Sequence, residues 1–421
     1  MKNIIDLGVG MSSKKKIAGT YIDLFSGCGG LSLGLGNAGW KGVFAVEKDE
    51  MAFETFRHNL IDGKHGHFDW PKWLPIKATT IQTLLKNHKD NLLQLKNKVD
   101  LITGGPPCQG FSQAGQRNPN DPRNQLSNQY VKMVELIAPK FVLLENVRGF
   151  NSIFSDAQGK KRKVPQSMIV KTKLEKLGYE VFHDYLNSRD FGVPQQRQRF
   201  LMIGIRNDIL KVDANPFQVL ENIRPDFLNS KGFSEKPISV KEAISDFEIA
   251  RNSLVYHSGS PDNGFEKIDY SPPKKLNSYQ KAMRKGLNGQ KPNSLRLPRH
   301  RESTVNKFQM IQEICRPGVA LNEFEREKIG TRKQAITVLN PRKPSKTLTT
   351  LPDDILHYSE PRILTVRESA RIQSFPDDFD FRGKYTTGGD RRTKECPRYT
   401  QVGNAVPPLL GEALGKMIKG L

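Results

Sequence analysis

Cys108 stands between two prolines and a glutamine in GGPPCQGFS (104–112), just after the apolar run VDLI. The prolines stiffen the loop and fix where the sulfur points. A thiol placed there projects from the carboxyl edge of a strand, where open α/β folds bind their ligands. Glu145 closes the run FVLLENV (141–147) and belongs to the same edge. Arg197 and Arg199 alternate in PQQRQR (194–199), so both guanidiniums face one side of an entering strand. Arginine nearby favours the thiolate and binds a carbonyl oxygen or a carboxylate in bidentate fashion. These groups fit one chemistry. Carbon 5 of a pyrimidine is too weak a nucleophile to take a methyl group unaided. A thiolate adding to carbon 6 converts the ring to an enamine whose carbon 5 attacks an electrophilic methyl. A carboxylic acid at N3 stabilises the electron-rich ring, and an arginine on the O2 carbonyl orients it. Taken singly, each group has a plainer reading: a small buried thiol, a capping carboxylate, a solvated arginine pair. Their co-occurrence at the strand ends of one domain is what favours the chemical one.

A methyl donor needs a pocket, and DLFSGCGG (23–30) offers one. Its glycines permit a tight strand-to-helix turn with close backbone approach, and the helix N-terminus presents N–H donors. The spacing is not the dinucleotide fingerprint G-x-G-x-x-G. About twenty residues on, VEKD places Glu47 at the end of a second strand, where a carboxylate can hold ribose hydroxyls. That arrangement suits a nucleoside cofactor, either NAD or S-adenosylmethionine.

The elements that must position these groups are visible in the apolar pattern. Strands are predicted at 20–26, 42–49, 99–105, 141–147, 180–187 and 199–206. Helical segments separate the first four, as in QLSNQYVKMVELIAPK, which Pro139 ends. Near-continuous apolar strands alternating with helices predict an α/β fold with a doubly wound, mostly parallel sheet. After residue 206 the rhythm stops, and 207–360 is polar, rich in Pro, Asn and Lys, and weakly periodic. Nine basic residues and no acidic one fall between Lys274 and Arg301. Tyr279, Leu287, Leu295 and Phe308 favour a smaller folded lobe with a basic face rather than a linker. Helical character returns in TVRESARIQSFP, and PPLLGEALGKMIKGL closes the chain as an amphipathic helix. The expected organisation is a basic leader (1–18), a catalytic domain (19–206), a second domain (207–360) and a C-terminal segment completing the first (361–421).

Charge and cysteine usage bound the partners. Lys plus Arg number 66 against 44 Asp plus Glu, a formal charge of +22 that points to a polyanion, with nucleic acid foremost. Four scattered cysteines form neither a disulfide framework nor a metal-ligand spacing, so the expectation is a cytosolic chain without metal. No apolar run approaches membrane-spanning length.

In order, the segments DLFSGCGG, VEKD, GGPPCQGFS, DPRNQL, ENVRGF, PQQRQR, KTLTT, RESARIQSFPDDF and QVGNAVPP resemble the motifs of the bacterial DNA (cytosine-5)-methyltransferases of restriction–modification systems. The resemblance runs from about residue 20 to the C-terminus and is weakest over 207–360, where that family keeps its target-recognition domain. It implies a Rossmann-like, S-adenosylmethionine-dependent fold, with S-adenosylhomocysteine as the product. Cys108 would be the nucleophile, Glu145 the group at cytosine N3, and Arg197 and Arg199 the support of that pocket, Arg199 nearer the base. Phe25, Ser26, Gly27, Gly29, Gly30, Glu47, Lys48, Pro107, Asn404 and Ala405 would line the cofactor site. Thr347 would abut the flipped nucleotide, and Gln109, Gly110 and Ser112 would lie on a loop closing over DNA. Arg296 and Arg299 are DNA-contact candidates from the basic lobe. Implied partners are double-stranded DNA and a restriction endonuclease acting separately, with the enzyme working as a monomer off the membrane.

Two departures accompany the resemblance. The acidic residue that contacts adenine in the family has no clear counterpart, since KATTIQ stands there; Thr80 takes its place, or Asp69 does. Lys48 stands where an aromatic ring often stacks on the cofactor. The nearer rival is an RNA (tRNA) cytosine-5 methyltransferase with the same catalytic motifs, against which the long basic insertion argues. A NAD-dependent oxidoreductase is more distant, because its fingerprint and its His/Lys or Tyr/Lys constellation are missing. A non-catalytic DNA-binding module would not need Cys108, Glu145 and Arg199 together.

Overall fold

A computed structural model describes residues 17–107, 125–153, 164–211, 215–256, 264–387, 391 and 394–421. The chain opens with β1 (Thr20–Leu24), α1 (Gly30–Asn37), β2 (Lys41–Val46) and α2 (Glu50–Leu60). Next come α3 (Ile81–Asn87), α4 (Lys89–Gln94), β3 (Leu101–Gly104), α5 (Leu126–Ile137) and β4 (Phe141–Asn146). Then follow α6 (Gln166–Lys176), β5 (Tyr179–Asn187), β6 (Gln195–Gln196) and β7 (Gln198–Arg206). Local chemistry sets several boundaries. Asp49 caps α2 by accepting the Ala52 N–H at 2.9 Å, with Glu50 in the first turn and Arg57 and His58 in the last. α5 stops where Ala138 adopts φ 48° just before Pro139.

Six strands form one sheet in the order β2-β1-β3-β4-β7-β5. β2, β1, β3 and β4 are mutually parallel, whereas β7 runs antiparallel to both β4 and β5. Only the short stretch 188–197 separates β5 from β7, too little for a crossover, so the chain can return only antiparallel. That reversal has a consequence for the site. It brings the beginning of β7 to the edge where β1, β3 and β4 end.

Alternate residues fill the two faces. Tyr21, Leu101, Phe141, Leu143, Leu201 and Ile203 pack on one side with Leu31 and Leu35 of α1. Ile22, Ile102, Val142, Leu144, Phe200 and Met202 pack on the other with Tyr130, Met133 and Ile137 of α5. Beyond β7 lie α7 (Pro216–Ser230), α8 (Val240–Ile244), the hairpin β8 (Ser253–Tyr256) and β9 (Glu266–Asp269), and α9 (Ser278–Arg284). Their apolar residues, among them Phe217, Leu220, Val240 and Tyr279, join the first of these clusters, as does Leu295 from the connection after α9. α10 (Glu302–Ile314), α11 (Glu323–Ile329), β10 (Thr337–Val338), β11 (Ser345–Lys346) and β12 (Ile355–Leu356) follow. Phe308, Ile311, Leu321, Ile329, Val338 and Leu356 there form a separate core. The chain closes with α12 (Val366–Ile372), α13 (Arg398–Asn404) and α14 (Pro408–Gly420). α14 returns against α1 in contact so close that a Cβ on Gly34 would lie 2.5 Å from the Pro408 carbonyl oxygen. Trp40 Nε1 donates to the Gly415 carbonyl at 2.9 Å, and Lys231 at the end of α7 pairs with Glu412 at 2.6 Å.

One buried ion cluster locks α12 to the 240s. Arg371 reaches Asp246 at 3.1 Å and Asp377 at 2.5 Å, and all three side chains are fully buried. Removing one member of such a cluster leaves buried charge uncompensated, so Arg371→Met should cost about 3–5 kcal/mol. Denaturant melting checks this, and a loss below 1 kcal/mol would show that the cluster is not dry. A second stability element is pH-dependent. His67 Nε2 lies 2.7 Å from the Tyr21 hydroxyl and Nδ1 lies 2.7 Å from the His65 carbonyl, so Nδ1 carries a proton toward that carbonyl. Burial lowers its pKa from 6.5 to about 4. The folded value is below the unfolded one, so this stabilisation is complete above about pH 6.5 and is lost as pH falls toward 4. The stability difference between the parent and His67→Gln should therefore shrink across that window, measured by urea unfolding at several pH values.

Candidate active site

The turn leaving β1 is built from left-handed backbone: Phe25 has φ 63°, Gly27 56° and Gly29 95°. For Phe25 this conformation is strained, and the surroundings enforce it. Ser26 N–H donates to the Val46 carbonyl at 3.0 Å, and Glu47 Oε2 accepts the Gly27 N–H at 3.0 Å while Oε1 accepts that of Asp49 at 2.8 Å. Glu47 thus ties the turn to the start of α2, and burial raises its pKa above the ordinary glutamate value. A Cβ on Gly27 would meet nothing within 4 Å, whereas one on Gly30 would lie 2.2 Å from the Val406 carbonyl and 3.3 Å from Ala405 Cβ. The first turn of α1 therefore sits directly on the segment that follows α13, which brings Gly30, Asn404 and Ala405 together from opposite ends of the chain. Asn404 and Lys48 are exposed. Ser26 Oγ is buried and finds no hydrogen-bond partner among the described residues. Cys28 belongs to the packing: its thiol reaches the Gln401 carbonyl at 3.7 Å and burial pushes its pKa up to about 12.

The two adenine-side candidates separate cleanly in space. Asp69 pairs with Lys41 at 3.1 Å, beside the beginning of β2 and away from the edge that carries Glu47. Thr80 follows Thr79, whose N–H donates to the Glu47 carbonyl at 2.7 Å, and its own hydroxyl caps α3 by accepting from Thr83 N–H at 3.1 Å.

On the neighbouring strands, Arg199 Nε lies 2.9 Å from Glu145 Oε1, with the two side chains 11% and 13% exposed. The antiparallel register of β4 and β7, which sets Asn146 opposite Phe200, carries Arg199 to the end of β4. Asn146 Nδ2 donates to the Pro106 carbonyl at 3.0 Å, and a Cβ on Gly105 would stand 3.0 Å from Glu145 Oε2. The loop leaving β3 is thus held against the Glu145–Arg199 pair up to Pro107. Cys108, Gln109, Gly110 and Ser112 lie outside the described residues.

Arg197 has a different environment from the one its alternation with Arg199 suggests. Its guanidinium is buried and donates to the Leu348 carbonyl at 3.3 Å and the Gly403 carbonyl at 2.9 Å. Burial and the charge of Arg199 lower its pKa. The break between β6 and β7 explains the divergence: β6 pairs in parallel with β11, so Arg197 lies between that pair and α13. Thr347, next after β11, donates its hydroxyl to the Gln196 carbonyl at 2.8 Å. Arg296 is layered between the rings of Phe265 and Tyr385, at 4.0 and 3.7 Å from their centroids, and Arg299 is exposed. Four positioning amides went unassigned in the sequence: Asn146, Gln195, Gln373 and Gln401. For Asn146, Gln373 and Gln401 the signal was a polar residue embedded in an otherwise apolar or glycine-rich motif; Gln195, within PQQRQR, carried no such signal. Gln401 accepts from Thr55 at 2.7 Å and so joins α13 to α2.

Among the described residues, no group of three or more His, Cys, Asp or Glu is placed to hold a metal ion. No helix among them is long and apolar enough to cross a membrane.

Residues 19–420 match the family described as C-5 cytosine-specific DNA methylase. The chain is 34% identical over 406 residues to the Type II methyltransferase M.DdeI of Desulfomicrobium norvegicum, covering 94% of this chain and 88% of that one. It is 32% identical to the Type II methyltransferase M1.HphI of Haemophilus parahaemolyticus, covering 95% and 86%. Among solved structures, a protein described as a DNA modification methyltransferase encoded within an E. coli prophage superposes with a TM-score of 0.62 at 22% identity, covering 96% and 99%.

Proposed function

Because the chain belongs to the C-5 cytosine-specific DNA methylase family, we propose that it methylates carbon 5 of one cytosine within a short duplex sequence by covalent catalysis from Cys108. The observation that carries the reading is the Asn146–Pro106 hydrogen bond, which holds the loop leading to Cys108 beside the Glu145–Arg199 pair. A target carbon buried in a duplex must first be extruded from the stack. The Cys108 thiolate then adds to carbon 6, Glu145 delivers a proton to N3, and Arg199 neutralises charge at the ring's carbonyl side. Once carbon 5 is methylated, a base removes its proton and the thiol is eliminated.

The donor pocket fits S-adenosylmethionine: Glu47 supplies a carboxylate and Gly27 open backbone, while Gly29 and Gly30 pack the turn against α2 and the segment after α13, and Ser26 carries a hydroxyl that has no partner among the described residues. Phe25, Pro107, Asn404 and Ala405 complete its walls, and Thr79–Thr80, rather than Asp69, stands on the adenine side. When bound, the cofactor supplies an electrophilic methyl group and leaves as S-adenosylhomocysteine. Arg197 we assign to scaffolding, since both of its Nη atoms already donate to backbone carbonyls. The family match does not favour the tRNA reading.

Residues 207–360 we assign to target recognition, with Arg299 among the phosphate contacts that give salt-sensitive affinity. The Type II relatives support a role in protecting DNA from an endonuclease that acts separately. Expression in a methylation-free bacterial host followed by bisulfite sequencing tests the whole reading. Protected cytosines should fall in a single sequence context. Full conversion everywhere, with folded protein present, would refute it.

A further inference from the structure

A chain of amides crosses the site from its base side to its cofactor side. Gln195 Oε1 accepts the Leu348 N–H at 2.9 Å, and Gln195 Nε2 donates to Gln373 Oε1 at 2.8 Å. Gln373 Nε2 then donates to the Val402 carbonyl at 2.7 Å and the Ala405 carbonyl at 3.3 Å. Both glutamines are fully buried. The chain begins on a backbone N–H and ends on backbone carbonyls, so neither amide can flip without setting acceptor against acceptor. Its direction is forced. In parallel, Arg197 joins the Leu348 carbonyl to the Gly403 carbonyl, so both backbone groups of Leu348 are tied to residues 402–405 by separate routes. Simple packing of these segments would not require two buried polar bridges, one running donor to acceptor through both amides and the other donating from Arg197 at each end.

We propose that Gln195 and Gln373 are positioning residues that hold the Thr347 segment in register with the Asn404–Ala405 segment, so that DNA and cofactor each favour the conformation the other needs. The proposal rests on the reading that Thr347 faces the target base and that Asn404 and Ala405 line the cofactor site. Neither glutamine touches substrate; they act through backbone position. Each substitution should therefore weaken the mutual effect of the two ligands more than it weakens either ligand alone.

The test uses the full chain, S-adenosylhomocysteine and sheared unmethylated bacterial DNA. Calorimetry gives the S-adenosylhomocysteine dissociation constant with and without DNA for the parent, Gln373→Glu, Gln195→Glu and Asn404→Ala. Gln373→Glu sets a carboxylate against two carbonyls, while Gln195→Glu keeps the acceptor for Leu348 and is the milder change should the first not fold. DNA should tighten S-adenosylhomocysteine binding to the parent, and that factor should fall by about tenfold, or to unity, in both glutamine variants, as expected for one lost buried hydrogen bond. A lowered melting temperature with the factor unchanged is what purely structural amides would produce, and it would overturn the proposal, as would a parent in which DNA has no effect. Asn404→Ala separates the two levels. If it weakens S-adenosylhomocysteine while the glutamine variants keep the parent's factor, the relay falls and the site reading stands. If Asn404→Ala binds like the parent, the cofactor reading falls, and the relay with it.

Discussion

Cys108→Ser should leave a folded protein that still binds DNA and S-adenosylhomocysteine but transfers methyl groups at least roughly ten-thousand-fold more slowly, the scale of loss when a covalent nucleophile is removed. A serine hydroxyl matches the thiol in shape but ionises far less readily and has no base assigned to it here, so the addition to carbon 6 is lost while binding surfaces persist. The remaining described cysteines cannot stand in. Burial raises the pKa of Cys28 to about 12 and lifts those of Cys315 and Cys396 as well. Held as thiols, they are inert. Incorporation of tritiated methyl groups into unmethylated DNA reads the loss, with Cys315→Ser as the control that should retain activity. DNA carrying 5-fluorocytosine sharpens the experiment. Fluorine replaces the proton that must leave carbon 5, so the parent should accumulate a denaturant-resistant adduct and Cys108→Ser should form none. Normal turnover by Cys108→Ser would sink the covalent mechanism.

Much of the sheet was legible because its central strands are buried on both faces and read as continuous apolar runs. β1, β3 and β4 begin and end within two residues of the runs that predicted them. The antiparallel sense of β7 is written in no residue of the strand; it follows from the brevity of the connection after β5, which is a matter of spacing and not of apolar pattern. Arg197 shows a second limit. Alternation correctly says that residues two apart share a face of a strand, but β6 and β7 are separated at this residue and its acceptors come from Leu348 and Gly403, 151 and 206 residues away. No periodicity announces such contacts. Arg296 shows a third: counting charge over 274–301 could not reveal that this guanidinium is layered between two rings. Gln195 and Gln373 were visible as letters within quoted motifs, yet their meaning lies in which distant backbone groups they reach.

Glu145→Gln is the prediction that best separates binding from chemistry. The side chain sits 2.9 Å from Arg199 Nε and is little exposed, so a neutral isostere keeps its volume and can still accept from the guanidinium through its amide oxygen. The amide can also donate a hydrogen bond to N3 of an extruded cytosine. What it cannot do is deliver the proton, and without that proton the ring becomes electron-rich with nothing to neutralise it as sulfur bonds to carbon 6. Melting temperature and DNA affinity should therefore stay near the parent's, while the rate falls by about a hundredfold to a thousandfold. Release of tritium from cytosine labelled at carbon 5 measures the consequence directly, because that hydrogen departs only after addition has activated the ring. A large drop in release with unchanged DNA affinity places the defect in the addition step. Release at the parent's rate would mean that Glu145 serves only to hold Arg199 at the end of β4, and the proton at N3 would have to come from solvent.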